Sequence, residues 1–204
     1  MIITKIETVN KTKYKVYIDD QFAFALYKGE LSRYRIKEDA PIEDEIYQKI
    51  KKEVVLKRAK LRAMHLLNDM DRTESALRLK LKQGLCTEDI IDGAIDYVKS
   101  FGYIDDHRYA VHFIETKKSS KSRKEIYAAL SQKGVSADNI DLAFEECYDE
   151  DGEKKAIEDI LRKKRFDITC TDDAQKQKIY GYLARKGFRY EEIRQVVQYY
   201  TENA

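Results

Sequence analysis

The stretch FGYIDDHRYAVHFIETKKSSKSRKEIYAALSQKG, Phe101 to Gly134, decides how the chain folds. Gly102 makes a tight turn. Asp105 or Asp106 then stands where a carboxylate accepts hydrogen bonds from the free amides of a helix start and suits its dipole. Tyr109, Ala110, Phe113 and Ile114 recur at helical spacing and predict an inward face. Lys117–Ser122 reads as a loop. A second helix places Ile126, Ala129 and Leu130 inward, and Gly134 ends it in the left-handed conformation that glycine accepts most readily. Ser136 caps a third helix striped by Ile140, Ala143, Phe144 and Cys147.

The same plan lies on both flanks. Upstream, Ala63, Leu66 and Leu67 give a first apolar face, and Asp71-Arg72-Thr73 forms a polar junction with Thr73 as helix cap. Glu74–Gln83 carries Ala76, Leu77 and Leu81. Gly84 fits the left-handed stop, and Thr87 caps a third helix striped by Ile91, Ile95 and Val98. Downstream, Ala156, Ile157, Ile160 and Leu161 are followed by a longer connection, Arg165 to about Asp173. Then come Ile179 and Leu183, the stop Gly187, and Ile193, Val196, Val197 and Tyr200. Registered on the glycines, Leu130-Ser131-Gln132-Lys133-Gly134 matches Leu183-Ala184-Arg185-Lys186-Gly187. Six residues after each glycine stands Ile90, Ile140 or Ile193. A period of about 50 residues predicts a tandem array of three three-helix repeats that pack on their neighbours.

Residues 2–27 follow another rule. Ile2, Ile3, Ile6 and Val9 precede a turn at Asn10–Lys13. Tyr14, Val16 and Ile18 alternate with Lys15 and Tyr17, Asp19-Asp20-Gln21 turns, and Phe22, Phe24 and Leu26 alternate with Ala23, Ala25 and Tyr27. Period-two spacing predicts a three-stranded antiparallel meander covering one face of its neighbour. Lys28-Gly29-Glu30 ends it, Leu31–Ala40 reads as a short helix, and Pro41 closes that helix. From Ile42 a long helical stripe runs through Ile46, Ile50, Val54, Ala59, Ala63, Leu66 and Met70, with a bend expected near Lys57. The organisation expected is 1–41 meander and short helix, 42–56 connector helix, and repeats at 57–102, 103–151 and 152–204. The fold class is mainly α, with helix-turn-helix-like repeats behind a small N-terminal sheet.

Composition narrows the function. Of 204 residues, 43% are apolar and 37% charged, with one proline and a net charge of +2, so any polyanion-binding face must come from charge distribution. The N-terminus lacks the basic start and long apolar run of a signal peptide, and no stretch approaches a membrane span, so a soluble cytoplasmic protein is expected. Cys86, Cys147 and Cys170 are far apart and lack metal-site spacing; reduced thiols are expected. There is no phosphate-binding GxxxxGK[ST] loop, GxGxxG turn, HExxH helix or GxSxG elbow. Asp105, Asp106 and His107 read as a capped helix start, not a metal site. No catalytic residue, cofactor, metal or small-molecule substrate is expected, and the chain reads as a binding protein.

Charge is unevenly spread. Between Lys51 and Lys82, ten cations face four carboxylates, a net +6. Between Asp138 and Glu153, eight carboxylates occur without a Lys or Arg, and Glu88, Asp89, Asp92 and Asp96 repeat that theme upstream. First and second helices therefore lean basic and third helices acidic in the first two copies, which predicts one basic and one acidic edge. A basic stripe suits a phosphate backbone. Tyr109, Tyr127, Tyr180, Tyr182 and Tyr190 interleave with charge, as core or half-buried residues also would.

Taken together, Asp71-Arg72-Thr73-Glu74, Leu77, Leu81, Phe101-Gly102-Tyr103-Ile104-Asp105-Asp106, Arg108-Tyr109-Ala110, Leu130 to Gly134 and Tyr182-Leu183-Ala184-Arg185-Lys186-Gly187-Phe188 with Ile193 resemble the RecX family across roughly residues 57–200. The N-terminal strands resemble an extension seen in some members. Where relatives often have Lys-Gly before the middle repeat's second helix, this chain has Ser119-Ser120-Lys121-Ser122-Arg123, which keeps the charge and loses the glycine. The resemblance implies an array that binds the RecA–DNA filament without catalysis and inhibits recombinase, ATPase and coprotease activity, with DNA bound weakly alone and no membrane contact. The basic residues expected to make electrostatic contact with RecA or DNA are Arg72, Arg78, Lys80, Lys117, Lys118, Lys121, Arg123, Lys124, Arg185, Lys186 and Arg189. The rival readings are a stand-alone DNA-binding protein using helix-turn-helix-like repeats and a scaffold for another partner.

Overall fold

The computed structural model describes residues 1–148, 152–166 and 173–202. Asp149, Glu150 and Asp151 of the acidic run, Cys170, most of the connection after Arg165 and the side chain of Tyr200 lie outside the described residues. The chain is mainly helical behind a small N-terminal antiparallel sheet, and divides into two compact units, Met1–Asp105 and Asp106–Ala204.

In the first unit, strands β1 (Ile2–Thr8), β2 (Lys13–Ile18) and β3 (Gln21–Tyr27) form the meander. Asp19 and Asp20 take φ of 47° and 64°, the two positive values of a tight hairpin turn whose twist matches the strands. The expectation of three strands is corrected to four, in the order β3-β2-β1-β4, because β4 (Ala40–Pro41) pairs with Ile2 and Ile3. Residues 31–40 are accordingly not a helix ended by Pro41. Helix α1 spans Lys28–Arg33, and the chain returns so that Asp39 donates its amide to the Ile3 carbonyl at 2.8 Å. A second correction concerns Phe22. A register shift pairs Val16 with Phe24 but Tyr17 with Phe22. The extra residue, Ala23, puts Phe22 on the opposite face from Phe24, edge-on to Tyr17 at 5.9 Å between ring centroids.

The long helix begins at Asp44, not Ile42. It runs as α2 (Asp44–Lys49), a π-helical segment (Ile50–Leu56) and α3 (Lys57–Asp69). The widened segment ends beside the expected bend. It sets the buried stripe to Ile50, Val55, Ala59, Ala63 and Leu66, with a step of five from the first to the second. Met70 falls outside the stripe, extended and exposed past the helix end. Helices α4 (Glu74–Gln83) and α5 (Glu88–Ser100) complete a triplet whose core is continuous with the sheet through Val16, Phe24 and Leu26.

The second unit holds two further triplets: α6 (Asp106–Lys117), α7 (Arg123–Gln132) and α8 (Ala137–Cys147), then α9 (Gly152–Lys164), α10 (Asp173–Arg185) and α11 (Tyr190–Glu202). Each has its own core, one around Ile114, Ile126 and Phe144, the other around Ile157, Leu183 and Val197. In every triplet the first helix packs on the third.

The helix stops repeat, but the first copy is one residue out of the expected register. Gly134 and Gly187 have φ of 81° and 88°, whereas in the first triplet the left-handed residue is Leu85 at 66°, and Gly84 has φ of −75°. The hydrogen bonds agree: Cys86, Val135 and Phe188 each donate an amide to Leu81, Leu130 and Leu183 at 3.2 Å. Gly84 is glycine for want of space, since a Cβ there would stand 3.0 Å from the Leu81 carbonyl oxygen. With Leu85, Gly134 and Gly187 equated, Ile91, Ile140 and Ile193 coincide, all buried; Ile90, the expected equivalent, is one place early. Capping also differs. Thr73, Ser122 and Ser136 accept backbone amides as caps, while the Thr87 hydroxyl does not.

Candidate functional site

The second unit brings distant cations together at the start of α7. Ser122 is fully buried. Its Oγ accepts the Glu125 amide at 3.1 Å, the Glu125 carboxylate accepts the Ser122 amide at 3.2 Å, and the Ser122 hydroxyl donates to the Lys186 carbonyl at 2.6 Å. The last bond ties the middle triplet to the stop of α10. A Cβ on Gly187 would lie 3.0 Å from Ser122 Oγ and 3.5 Å from Lys124 Cβ, so only glycine satisfies both this close approach and the positive φ.

Around this joint Arg123, Lys124, Tyr127, Ala128, Glu153, Gly187 and Arg189 line a concavity of about 410 Å³. The Arg123 guanidinium lies 4.6 Å over the Phe144 ring, and its backbone amide donates to Glu153 at 3.4 Å. Arg123, Lys124 and Arg189 are exposed, and among the described residues none of their side chains has a carboxylate partner. Arg123 and Lys124 are the first two residues of α7, where the helix dipole repels a cation by roughly 0.3–1 kcal/mol. A bound anion would reverse that penalty.

The other expected residues are placed differently. Lys186 Nζ sits 5.8 Å over Tyr182, and Arg185 lies along Gly181 on the exposed side of α10. Lys117, expected in the loop, is instead the last residue of α6, and Lys121 lies in the loop that follows; both are half-buried. Lys118 donates to Glu115 at 2.7 Å and to the Cys147 carbonyl at 3.3 Å, and its hydrogen bond holds the Glu115 carboxyl below the usual range. It lines a second concavity of about 490 Å³ with Glu115, Glu146, Cys147, Lys155 and Asp159, a lining of both signs. Burial, then Glu115, pushes the Cys147 thiol up to about 11, which makes it a poor nucleophile.

Arg72, Arg78 and Lys80 belong to the first unit. Arg72 Nε donates to the Leu66 carbonyl at 3.1 Å, across the polar junction. Arg78 is held by Asp92 and Glu74, each at 2.7 Å, while Lys99 reaches Glu74 at 2.5 Å. Asp92 first, then Glu74, raises Arg78 further; burial pushes Glu74 up, but Lys99 and Arg78 outweigh it and leave its carboxyl below the usual range. Lys82–Glu88 and Lys51–Asp89 join the basic and acidic helices in the same way. In the first triplet, therefore, the expected separate basic and acidic edges meet as ion pairs. Lys80 alone of these three arginine and lysine residues is exposed without a carboxylate partner among the described residues.

Sequence reasoning passed over Ser122 and Gly187 as site-builders. The Ser-x-x-Glu capping box at Ser122 is visible in the sequence, but nothing there announces a bond to Lys186, 64 residues away.

Comparison with known proteins gives three family profiles along the chain. They are the "Regulatory protein RecX N-terminal domain" at residues 1–43, the "RecX, second three-helix domain" at 105–143 and the "RecX, third three-helix domain" at 152–197. The sheet, which carries little identifying weight in the sequence, is thus matched in its own right. A protein named regulatory protein RecX from Caldanaerobacter subterraneus subsp. tengcongensis is 33% identical, covering 95% of this chain and 96% of its own length. One of the same name from Clostridioides difficile is 32% identical, over 96% of this chain and 94% of its own. A crystal structure of regulatory protein RecX has the same fold, with a TM-score of 0.62 at 24% identity over 97% of this chain and 98% of that one. The crystal structure of RecX from Lactobacillus salivarius aligns with a TM-score of 0.62 at 23% identity, over 72% of this chain and 96% of that one.

Proposed function

The chain belongs to the RecX family of regulatory proteins, and we propose that it acts without catalysis by binding the RecA–DNA filament and inhibiting RecA's recombinase, ATPase and coprotease activities. The observation that carries this reading is the concavity at the start of α7. Arg123, Lys124 and Arg189 converge there from two triplets, without carboxylate partners among the described residues, on a joint built by Ser122 and Gly187. Cations placed against a helix dipole lower stability and favour a polyanion, here DNA phosphate or an acidic surface of the filament. Lys186 adjoins this surface, and Lys117, Lys121 and Arg185 contribute outlying charge within the second unit; Lys80 is a separate exposed cation of the first unit. Arg78, Arg72 and Lys118 act mainly within their own triplets.

The test is RecA-driven ATP hydrolysis on single-stranded DNA with added protein. Inhibition that is lost in Arg123→Glu/Lys124→Glu supports the reading; an unchanged rate at clear molar excess of the native protein sinks it. A salt series on labelled DNA, with and without RecA, tests the stand-alone alternative. Contact with about five phosphates gives a slope of log affinity against log salt near −4 to −5 on duplex DNA. Tight binding to naked DNA with that slope would favour direct DNA binding; weak binding that RecA enhances would favour the filament.

A further inference from the structure

A second cationic site lies in the first unit, where the sheet meets the helices. Val55, Ala59, Leu81 and Leu85 give an apolar lining to a concavity of about 280 Å³, with Lys13, Arg58 and Arg62 around it. No Asp or Glu is among the lining residues. The three cations are unequally satisfied. Arg58 pairs with Glu30, donates to the Ala25 carbonyl at 3.1 Å and lies 4.7 Å over the Tyr27 ring. Among the described residues Lys13 Nζ has only the Gly84 carbonyl, at 2.8 Å, although its surroundings are partly desolvated. Arg62 is exposed and has no hydrogen-bond or ion-pair partner among the described residues. Burial first, then Arg58 and Arg62, holds the Lys13 ammonium below its ordinary range, consistent with crowded positive charge. A desolvated cation without an anion is unfavourable, and an incoming carboxylate relieves it.

We propose that this concavity receives an acidic protein segment through one apolar side chain, whose flanking carboxylates supply the ion pairs that Lys13 and Arg62 lack. The apolar lining favours this occupant over a phosphodiester chain, whose sugars and phosphates gain nothing from Val55 and Leu81. The volume lies just below the usual range of small-molecule sites and suits one anchoring side chain. The segment would hydrogen-bond at the rim and seat its apolar residue between the sheet and α3.

The test uses the full chain with Cys147→Ser and Cys170→Ser, leaving Cys86, which lines the concavity, as the single thiol. The probes are fluorescein-labelled Asp-Glu-X-Glu-Asp peptides with X as Leu, Ile, Met or Phe, their Gly-centred counterpart, a Lys-Arg-Phe-Arg-Lys peptide and 4-phenylbutyrate. At least one apolar-centred acidic peptide is expected to raise anisotropy and slow iodoacetamide labelling of Cys86, and to bind at least about tenfold more tightly than the Gly-centred or basic peptide. Arg62→Glu is expected to weaken it by about tenfold or more. Arg62 is exposed, so the variant should fold, as circular dichroism will check; Lys13→Met is the second variant. Equal binding of the Gly-centred peptide, no effect of either variant, no binding by any acidic peptide, or 4-phenylbutyrate binding as tightly as the peptides would each overturn the proposal. None of these readouts involves RecA or DNA.

Discussion

Glu74 and Arg123 are the first residues of the second helices in the first and middle triplets, and they carry opposite charge. Glu74 suits the helix dipole and gathers Arg78 and Lys99 onto itself. Arg123 opposes the dipole and faces the concavity with Lys124 and Arg189. The scaffold is the same: Leu77 and Ile126 fill equivalent core positions, as do Leu81 and Leu130. At the start of its second helix the first triplet closes its charges into a network, while the middle triplet leaves cations available there. Net charge points the other way, at +2 for residues 57–102 and −4 for residues 103–151, so pairing and not the total decides which cations are available.

The largest effect should come from the joint. Gly187→Val would combine left-handed strain with crowding against Ser122 and Lys124 and cost about 3 kcal/mol in urea unfolding of the second unit. Gly84→Ala tests the other triplet. Its φ is ordinary, so the penalty should reflect only the 3.0 Å approach to the Leu81 carbonyl and be smaller. Next come the two caps. Thr73→Ala should cost about 1 kcal/mol. Ser122→Ala should cost about 2 kcal/mol, because it also leaves the part-buried Lys186 carbonyl without its Ser122 donor. Equal losses would mean that the bond between triplets contributes nothing.

Charge reversal sharpens the comparison further. Arg123→Glu/Lys124→Glu should raise thermal stability slightly through the dipole while weakening filament binding about tenfold, with the salt dependence shallower by roughly 2. A loss of both stability and binding would make the pair structural. The smallest effect is the acid response of Glu74. Its folded carboxyl titrates below the unfolded value, so it contributes stability that is complete above the ordinary carboxylate range and is lost as pH falls through the folded value. Glu74→Gln should flatten that part of the acid unfolding profile, whereas Glu115→Gln, whose carboxyl is also held low but is exposed, should change it less.

Much of this was legible in the sequence because it depends on local spacing. The stripes at Ile114, Ile126 and Ile140, or Ile157, Leu183 and Val197, are helical periodicity, and each is buried. What escaped depends on one extra or missing step. Ala23 shifts Phe22 to the other face, and Leu85 takes the left-handed place that Gly84 advertises. β4 is only two residues long, too short for an alternating pattern, and exists because β1 offers an edge. At the candidate site, Arg123 and Lys124 could be picked from their charge. The neutralisation of Arg78 by Asp92 and the convergence of Arg189 on α7 arise only when separate helices meet.

The π-helical segment Ile50–Leu56 has a consequence for how the chain tolerates length changes. A π-helical turn takes about one residue more than an α-helical one, so deleting one residue here would shorten the step from Ile50 to the next buried position from five to four and leave the Ala59, Ala63 and Leu66 stripe in phase with α5, whereas an inserted residue would swing that stripe round by about 100°. The segment works as a phase adjuster between the sheet and the repeats. A one-residue deletion there should therefore be tolerated far better than a one-residue insertion, as thermal unfolding of the two variants will check.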